Sequence, residues 1–283
     1  MPTAHTINIG LNRVDPAHYH GWDGTLQACE ADARDMHALA TGLGYEGPML
    51  LTQAATAEAV TGAIADAASR LRKGDILFLT YSGHGGQVPD LHGEEDDDMD
   101  ETWVLYDRQL LDDELFALWG RFEPGVRIVV LSDSCHSGSV TRGWYLDSLI
   151  EETVEHGFAG GDGGGGRPAV KSMPPALRTE VYEGNRALYE RIEREHPAGD
   201  EVDVQAHVIL ISGCQDNQES LDGERNGLFT ATLLEVWNEG RFTGGYRRFR
   251  RRILNRMPPN QSPNYFLAGP RSRSFETQKP LTI

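Results

Sequence analysis

Two unbroken apolar runs constrain the fold more than any other feature of this 283-residue chain. "DILFLTYSG" (75–83) and "VRIVVLSDS" (126–134) show no polar alternation. That is the pattern of strands covered on both faces, and so of a mainly parallel sheet between helical layers. The surrounding segments alternate to match. "HTINIGL" and "GPMLLT" read as strands, "LQACEADARDMHALATGLG" as a helix stopped by Gly42 and Gly44, and "TAEAVTGAIADAASRLRKG" as an alanine-rich helix ended by Lys73 and Gly74. Further on, "AHVILISGC" is a strand, "NGLFTATLLEVWNEG" and "YRRFRRRILNRM" are helices, and "QSPNYFLAGP" supplies an edge strand. The fold class is therefore α/β, in one layered domain over residues 1–283. Between Gly138 and Gly199 the periodicity dissolves, and the Gly/Pro-rich "HGFAGGDGGGGRPAVKSMPP" reads as a flexible surface insertion spanning 141–203. It separates residues 1–140 from residues 204–283.

Composition narrows the class of function. A formal net charge of −17 repels nucleic acid and anionic membranes and favours cationic partners or metal ions. The apolar runs are too short to cross a bilayer, and "MPTAHTINIG" lacks the basic start and apolar stretch of a signal peptide. Three cysteines are too few and too odd in number for a disulfide framework. A reduced, cytoplasmic setting is the expectation.

Chemistry in a parallel sheet gathers at the carboxyl ends of the strands, where "YSGHGG" and "SDSCHSG" both lie. Cys135 follows a buried-type strand in a turn of small and polar residues, the setting of a nucleophile rather than of a buried apolar filler. Cys214 closes a strand and reads as structural. Among the histidines, His84 is the best base: it ends the other apolar strand, between glycines that let a substrate backbone approach. His136 adjoins Cys135, but adjacent side chains diverge, so it is assigned to packing or orientation. The acidic run "GEEDDDMDE", with Asp112 and Asp113, offers the carboxylate oxygens that a hard cation such as Ca²⁺ takes, and equally reads as a solvated loop.

Three patterns are set aside. "GLGYEG" matches a dinucleotide glycine pattern but follows a helix instead of a strand. A cysteine-phosphatase loop would need arginine where Thr141 stands, one residue before Arg142. In "YRRFRRRILNR", Phe249, Ile253 and Leu254 form an apolar side, which leaves the arginines as its wet face rather than a nucleic-acid surface.

Taken together, "YSGHGGQ" and "DSCHSGS", about fifty residues apart, resemble the caspase-like cysteine peptidases, and within them the metacaspases and their prokaryotic relatives. "LQACEADA", "DDDMDETWVLYD", "LLDDEL", "GLFTATLLEVW" and "NQSPNYFLAG" extend the resemblance along nearly the whole chain. It implies a three-layer sandwich on a mostly parallel six-stranded sheet, with 1–140 like a large subunit and 204–283 like a small one. It also implies a dyad of His84 (acid and base) and Cys135 (nucleophile), with the Gly85 and Cys135 N–H groups on the oxyanion. The substrates would be proteins or peptides cut after Arg or Lys, recognised at Cys29, Asp32, Ser82 and Asp133. No cofactor is needed for the chemistry.

The same resemblance implies activation by Ca²⁺ at Asp100, Asp112 and Asp113, but a fourth ligand position is Arg142 here. The site is then weaker, rebuilt from Asp97 or Asp98, or absent. Self-cleavage falls in the insertion, at Lys171 or Arg178 rather than at Arg167, which Pro168 follows. The resemblance favours a monomer. Two other readings stand beside the peptidase: an effector protease switched by a small anionic signal near the arginine-rich helix, and an inactive calcium- or partner-binding pseudo-peptidase.

Overall fold

Strands that are apolar on both faces must be covered on both, and the element order provides the covers. The structure, a computed structural model, describes residues 2–91, 99–135, 169–214, 220–223 and 225–283. In chain order come β1 (Ala4–Gly10), α1 (Cys29–Gly42), β2 (Met49–Leu51), α2 (Ala57–Arg70) and β3 (Ile76–Ser82). Next are β4 (Gly85–Pro89), β5 (Met99–Val104), β6 (Gln109–Leu111), α3 (Asp112–Trp119) and β7 (Arg127–Asp133). Then follow α4 (Pro175–Gly184), α5 (Arg186–Glu195), β8 (His207–Ser212), α6 (Leu228–Trp237), α7 (Tyr246–Leu254), β9 (Asn264–Ala268) and α8 (Arg273–Thr277). The central sheet has six strands in the order β2-β1-β3-β7-β8-β9. All its pairings are parallel except β8 with β9.

The period-2 alternation of side chains sorts the core into two layers. Leu77, Leu79 and Tyr81 of β3 face the side covered by α2 and α3, with Ile7, Ile9, Ile128, Val130, Val208 and Leu210 beside them. Ile76 and Phe78 join Val129, Leu131, Ile209 and Ile211 on the other side, under α1, α6 and α7. Each such side chain contributes about 1.5–3 kcal/mol by leaving water, so the central strands are the most strongly fixed part of the chain. This is the expected three-layer α/β sandwich. No helix among the described residues is long and apolar enough to cross a membrane.

Two features depart from the expectation. β4, β5 and β6 form a separate three-stranded antiparallel sheet. The stretch assigned to a flexible insertion also carries α4 and α5, which bury Val181, Tyr182, Tyr189 and Ile192 with Val88, Val104, Leu111 and Met173 in a third apolar cluster. From residue 169 onward that segment belongs to the packed fold, because its few apolar side chains recur at helical spacing against the small sheet.

Candidate active site

Ser82, the last residue of β3, pairs with Asp133, the last of β7. The residues two positions further along, His84 and Cys135, therefore leave the sheet side by side at its carboxyl edge. Gly85 makes that approach possible, since a Cβ there would collide with the Cys135 carbonyl.

The two groups are prepared differently. His84 is buried, and its Nε2 lies 3.0 Å from the Gly24 carbonyl oxygen. A carbonyl only accepts, so Nε2 carries the proton and the lone pair sits on Nδ1. Nδ1 has no hydrogen-bond partner among the described residues. The Trp22 ring covers the imidazole at 4.7 Å. Burial pulls its pKa down to about 4, which the Gly24 carbonyl opposes only in part, so the ring is neutral at pH 7. The Cys135 sulfur accepts the Ser220 N–H at 2.9 Å. Among the described residues, no hydrogen bond joins sulfur to imidazole. The Ser172 backbone opposes the effect of burial on the ring along with Gly24, and the Lys171 charge adds to it.

Residues 169–173 run along this edge, bridged at Val170 to Leu221 and at Ser172 to Gly85, with a bend at Lys171 between them. The Lys171 carbonyl oxygen accepts from Gly85 N at 3.0 Å and from Cys135 N at 3.1 Å. Upstream, Lys171 N donates to Ser220 O (2.9 Å) and Asp222 N donates to Ala169 O (2.8 Å); downstream, Met173 N donates to Gly85 O (2.9 Å). The two N–H groups that the family resemblance assigns to an oxyanion thus converge on one peptide carbonyl of the chain itself.

The side chain of that residue fills a pocket. Lys171 is fully buried, at 0% exposure, which lysine accepts only when paired. Its Nζ lies 3.1 Å from Asp32 Oδ2, 3.2 Å from Asp133 Oδ2 and 3.0 Å from Ser82 Oγ, one acceptor for each ammonium proton. Burial alone would lower the pKa of the lysine, but Asp133, and behind it Asp32 and Asp222, hold it well above the usual range. Burial pushes the Asp32 carboxyl up, and the Lys171 charge opposes that.

The N-terminus of α6 supports both carboxylates. Gly227 N donates to Asp32 Oδ1 at 3.0 Å; Thr230 donates to Asp133 Oδ2 from its N–H (3.2 Å) and its hydroxyl (2.7 Å). A Cβ on Gly227 would run into Lys171 Nζ and Asp133 Oδ2, so this glycine forms a wall of the pocket. Ser220 Oγ donates to Asp133 Oδ1 (2.7 Å) and Asn226 to Asp32 Oδ1 (3.0 Å). Cys29, the first residue of α1, borders the pocket as a neutral thiol, its pKa pushed up to about 12 by burial.

Residues 14–275 match the caspase domain, a peptidase family. The chain belongs to the caspase-domain family. Metacaspase-1 of Kluyveromyces lactis is 30% identical over 80% of the chain, and Metacaspase-1 of Schizosaccharomyces pombe 31% identical over 82%. The chain spans 55% and 58% of the lengths of those two proteins. A crystal structure of a Geobacter sulfurreducens protein is 47% identical, covers 99% of both chains and superposes with a TM-score of 0.85. Caspase-1 of Spodoptera frugiperda shares the fold at 9% identity, with a TM-score of 0.53 over 95% of this chain and 86% of its own.

For this caspase-domain chain, then, the structure brings His84, Gly85, Cys135, Asp32, Ser82, Asp133 and Lys171 together, with Cys29 alongside. Arg178 lies inside α4, where its guanidinium contacts Gln87 and is near enough to Cys135 to interact with it electrostatically; its peptide bonds are helical rather than extended. Asp100, in β5, and Asp112 and Asp113, opening α3, are buried near one end of the small sheet. Among the described residues no three carboxylate, imidazole or thiol side chains gather as a metal site requires. Asp97, Asp98, His136, Thr141, Arg142, Arg167 and Pro168 lie outside the described residues. Sequence reasoning missed Gly24, Trp22, Ser220, Asn226, Gly227 and Thr230; the Asn-Gly pair ahead of an apolar helix was the available signal.

Proposed function

We propose that the chain is a cysteine endopeptidase that cuts after lysine or arginine, and that its own Lys171–Ser172 bond is its first substrate. One observation carries this reading: Lys171 sets its ammonium on two carboxylates while its carbonyl oxygen takes two backbone N–H groups beside a thiol.

In the proposed reaction the Cys135 thiol gives its proton to Nδ1 of His84, the open nitrogen of a ring whose other nitrogen is held by Gly24. The thiolate attacks the Lys171 carbonyl carbon. Charge builds on the carbonyl oxygen, already fixed by the N–H groups of Gly85 and Cys135. The imidazolium then protonates the Ser172 nitrogen, the C–N bond breaks, and water releases the acyl group from sulfur. A peptide supplied in trans would place its basic side chain on Asp32, Asp133 and Ser82 once Lys171 has left them. Three free cysteines support the cytoplasmic expectation.

The test is incubation of the purified chain with peptides that differ only in the residue before the cut. Cleavage after Lys and Arg, none after Asp or Leu, and none by Cys135→Ala is the expected result. Cleavage that survives Cys135→Ala removes the reading. Calcium activation at Asp100, Asp112 and Asp113, with Asp97 or Asp98, is checked in the same assay: chelation should lower the rate, and an unchanged rate discards calcium.

A further inference from the structure

The segment bearing Lys171 is held in two unlike ways. On the acyl side, Ala169 and Lys171 are held by hydrogen bonds and ion pairs that any peptide with a basic side chain could replace. On the amine side, Met173 is fully buried among Val88, Val104, Val181 and Tyr182, its N–H is bonded to Gly85 O, and α4 begins at Pro175. That anchor is part of the core. Cutting between Lys171 and Ser172 leaves the acyl side tethered to Cys135 through the chain but held in the pocket only by contacts that a concentrated basic peptide can replace, while the new amine stays moored one residue from a buried methionine, beside the imidazole.

We infer that, once its own bond is cut, the chain is also a peptide ligase, in which the retained α-amine of Ser172 captures acyl groups that Cys135 takes from other basic peptides. The inference rests on the peptidase reading above. An incoming donor with a lysyl carbonyl forms a thioester on Cys135 Sγ and releases its own leaving group. The Ser172 nitrogen adds to the thioester carbonyl, the C–S bond breaks as the C–N bond forms, and the thiolate departs. The proton lost by the amine passes to His84 Nδ1. No oxidant or reductant is involved. A nucleophile held in place competes with water because effective molarities of well-oriented groups reach about 10⁵ M. The retained amine occupies the room a long leaving peptide would need, so donors with small leaving groups suit it best.

The chain is first incubated until a fragment beginning at Ser172 accumulates, as read by mass spectrometry. A fluorescein-labelled peptide methyl ester ending in lysine is then added. The expected product is the Ser172 fragment carrying the peptide acyl group, with tandem spectra placing the new bond on the α-nitrogen, and its loss when Cys135 is alkylated beforehand. Met173→Gly, which loosens the mooring, should lower the ratio of ligated to hydrolysed peptide about tenfold. Ester hydrolysis with no adduct on Ser172, or an unchanged ratio in Met173→Gly, overturns the ligase and leaves the peptidase standing. Absence of self-cutting overturns the ligase, and absence of ester turnover as well overturns both readings.

Discussion

The carbonyl oxygen of Lys171 lies 3.1 Å from the amide nitrogen of Cys135, so the residue carrying the thiol also grips the peptide bond next to it. One lysine thereby selects one bond. The first product of self-processing should have Ser172 as its new N-terminus, by N-terminal sequencing, and Lys171→Gln should stay intact there. A product starting at Thr179 would contradict this geometry.

Removing the sulfur should separate catalysis from folding. Cys135→Ala is expected to lower kcat/KM for lysyl peptides at least about 10⁴-fold. The melting temperature of the uncut chain should move little, because a small buried side chain is exchanged for one slightly smaller. Steady-state kinetics and thermal unfolding check the two halves.

The carboxylates carry stability as well as recognition. In the uncut Cys135→Ala chain, Asp133→Asn leaves the fully buried Lys171 ammonium short of one charge. Breaking a buried pair from one side costs about 3–5 kcal/mol, so the urea midpoint should fall sharply. In an active background the same change should reduce cleavage of basic peptides about 100-fold or more, at about 1.4 kcal/mol per tenfold. An unaltered midpoint would place the ammonium in contact with water.

His84 makes a pH prediction. Its folded pKa is lowered from 6.5 to about 4, chiefly by burial. The unfolded chain therefore takes up this proton first as pH falls. Its stabilising contribution is complete above about 6.5 and is lost progressively down to about 4. At 1.36 kcal/mol per pKa unit the loss by pH 4.5 is about 2–3 kcal/mol. Urea unfolding of Cys135→Ala with and without His84→Asn, at pH 7 and pH 4.5, isolates it: the histidine-free chain should lose less by that amount. The acid limb of the pH–rate profile due to this group should correspondingly lie below pH 5.

Gly227→Ala is the mildest change that should close the pocket. The added methyl group would occupy the position of the lysine ammonium, so binding of basic side chains should fail while the α6 N-terminus still forms. Turnover of lysyl peptides should fall about 100-fold or more, with a native circular-dichroism spectrum. Near-normal turnover would mean that the pocket wall yields.

The central strands were legible because both-face burial leaves an unbroken apolar run, as in β3 and β7. His84 and Cys135 were legible because such strands end where glycines and polar residues begin. The small sheet was not: β6 has three residues and β4 reads "GGQVP", too short and too rich in glycine and proline for a strand signal. α5, "RALYERIERE", buries only Tyr189, Ile192 and Glu193, and follows a glycine-rich stretch that hides its period. Asp32 and Asp133 were named as pocket residues, yet nothing local in the sequence told that Lys171 would sit between them. That juxtaposition exists only after α1, β3, β7 and the N-terminus of α6 have assembled.

A tethered ligand seated in its own recognition pocket sets a threshold for every other ligand. At the millimolar effective concentrations typical of tethered segments, dilute peptides cannot displace Lys171 from Asp32 and Asp133. The opening event should therefore be unimolecular, with a half-time that is the same in a crowded sample and a thousandfold dilution, so the uncut molecule keeps its own clock.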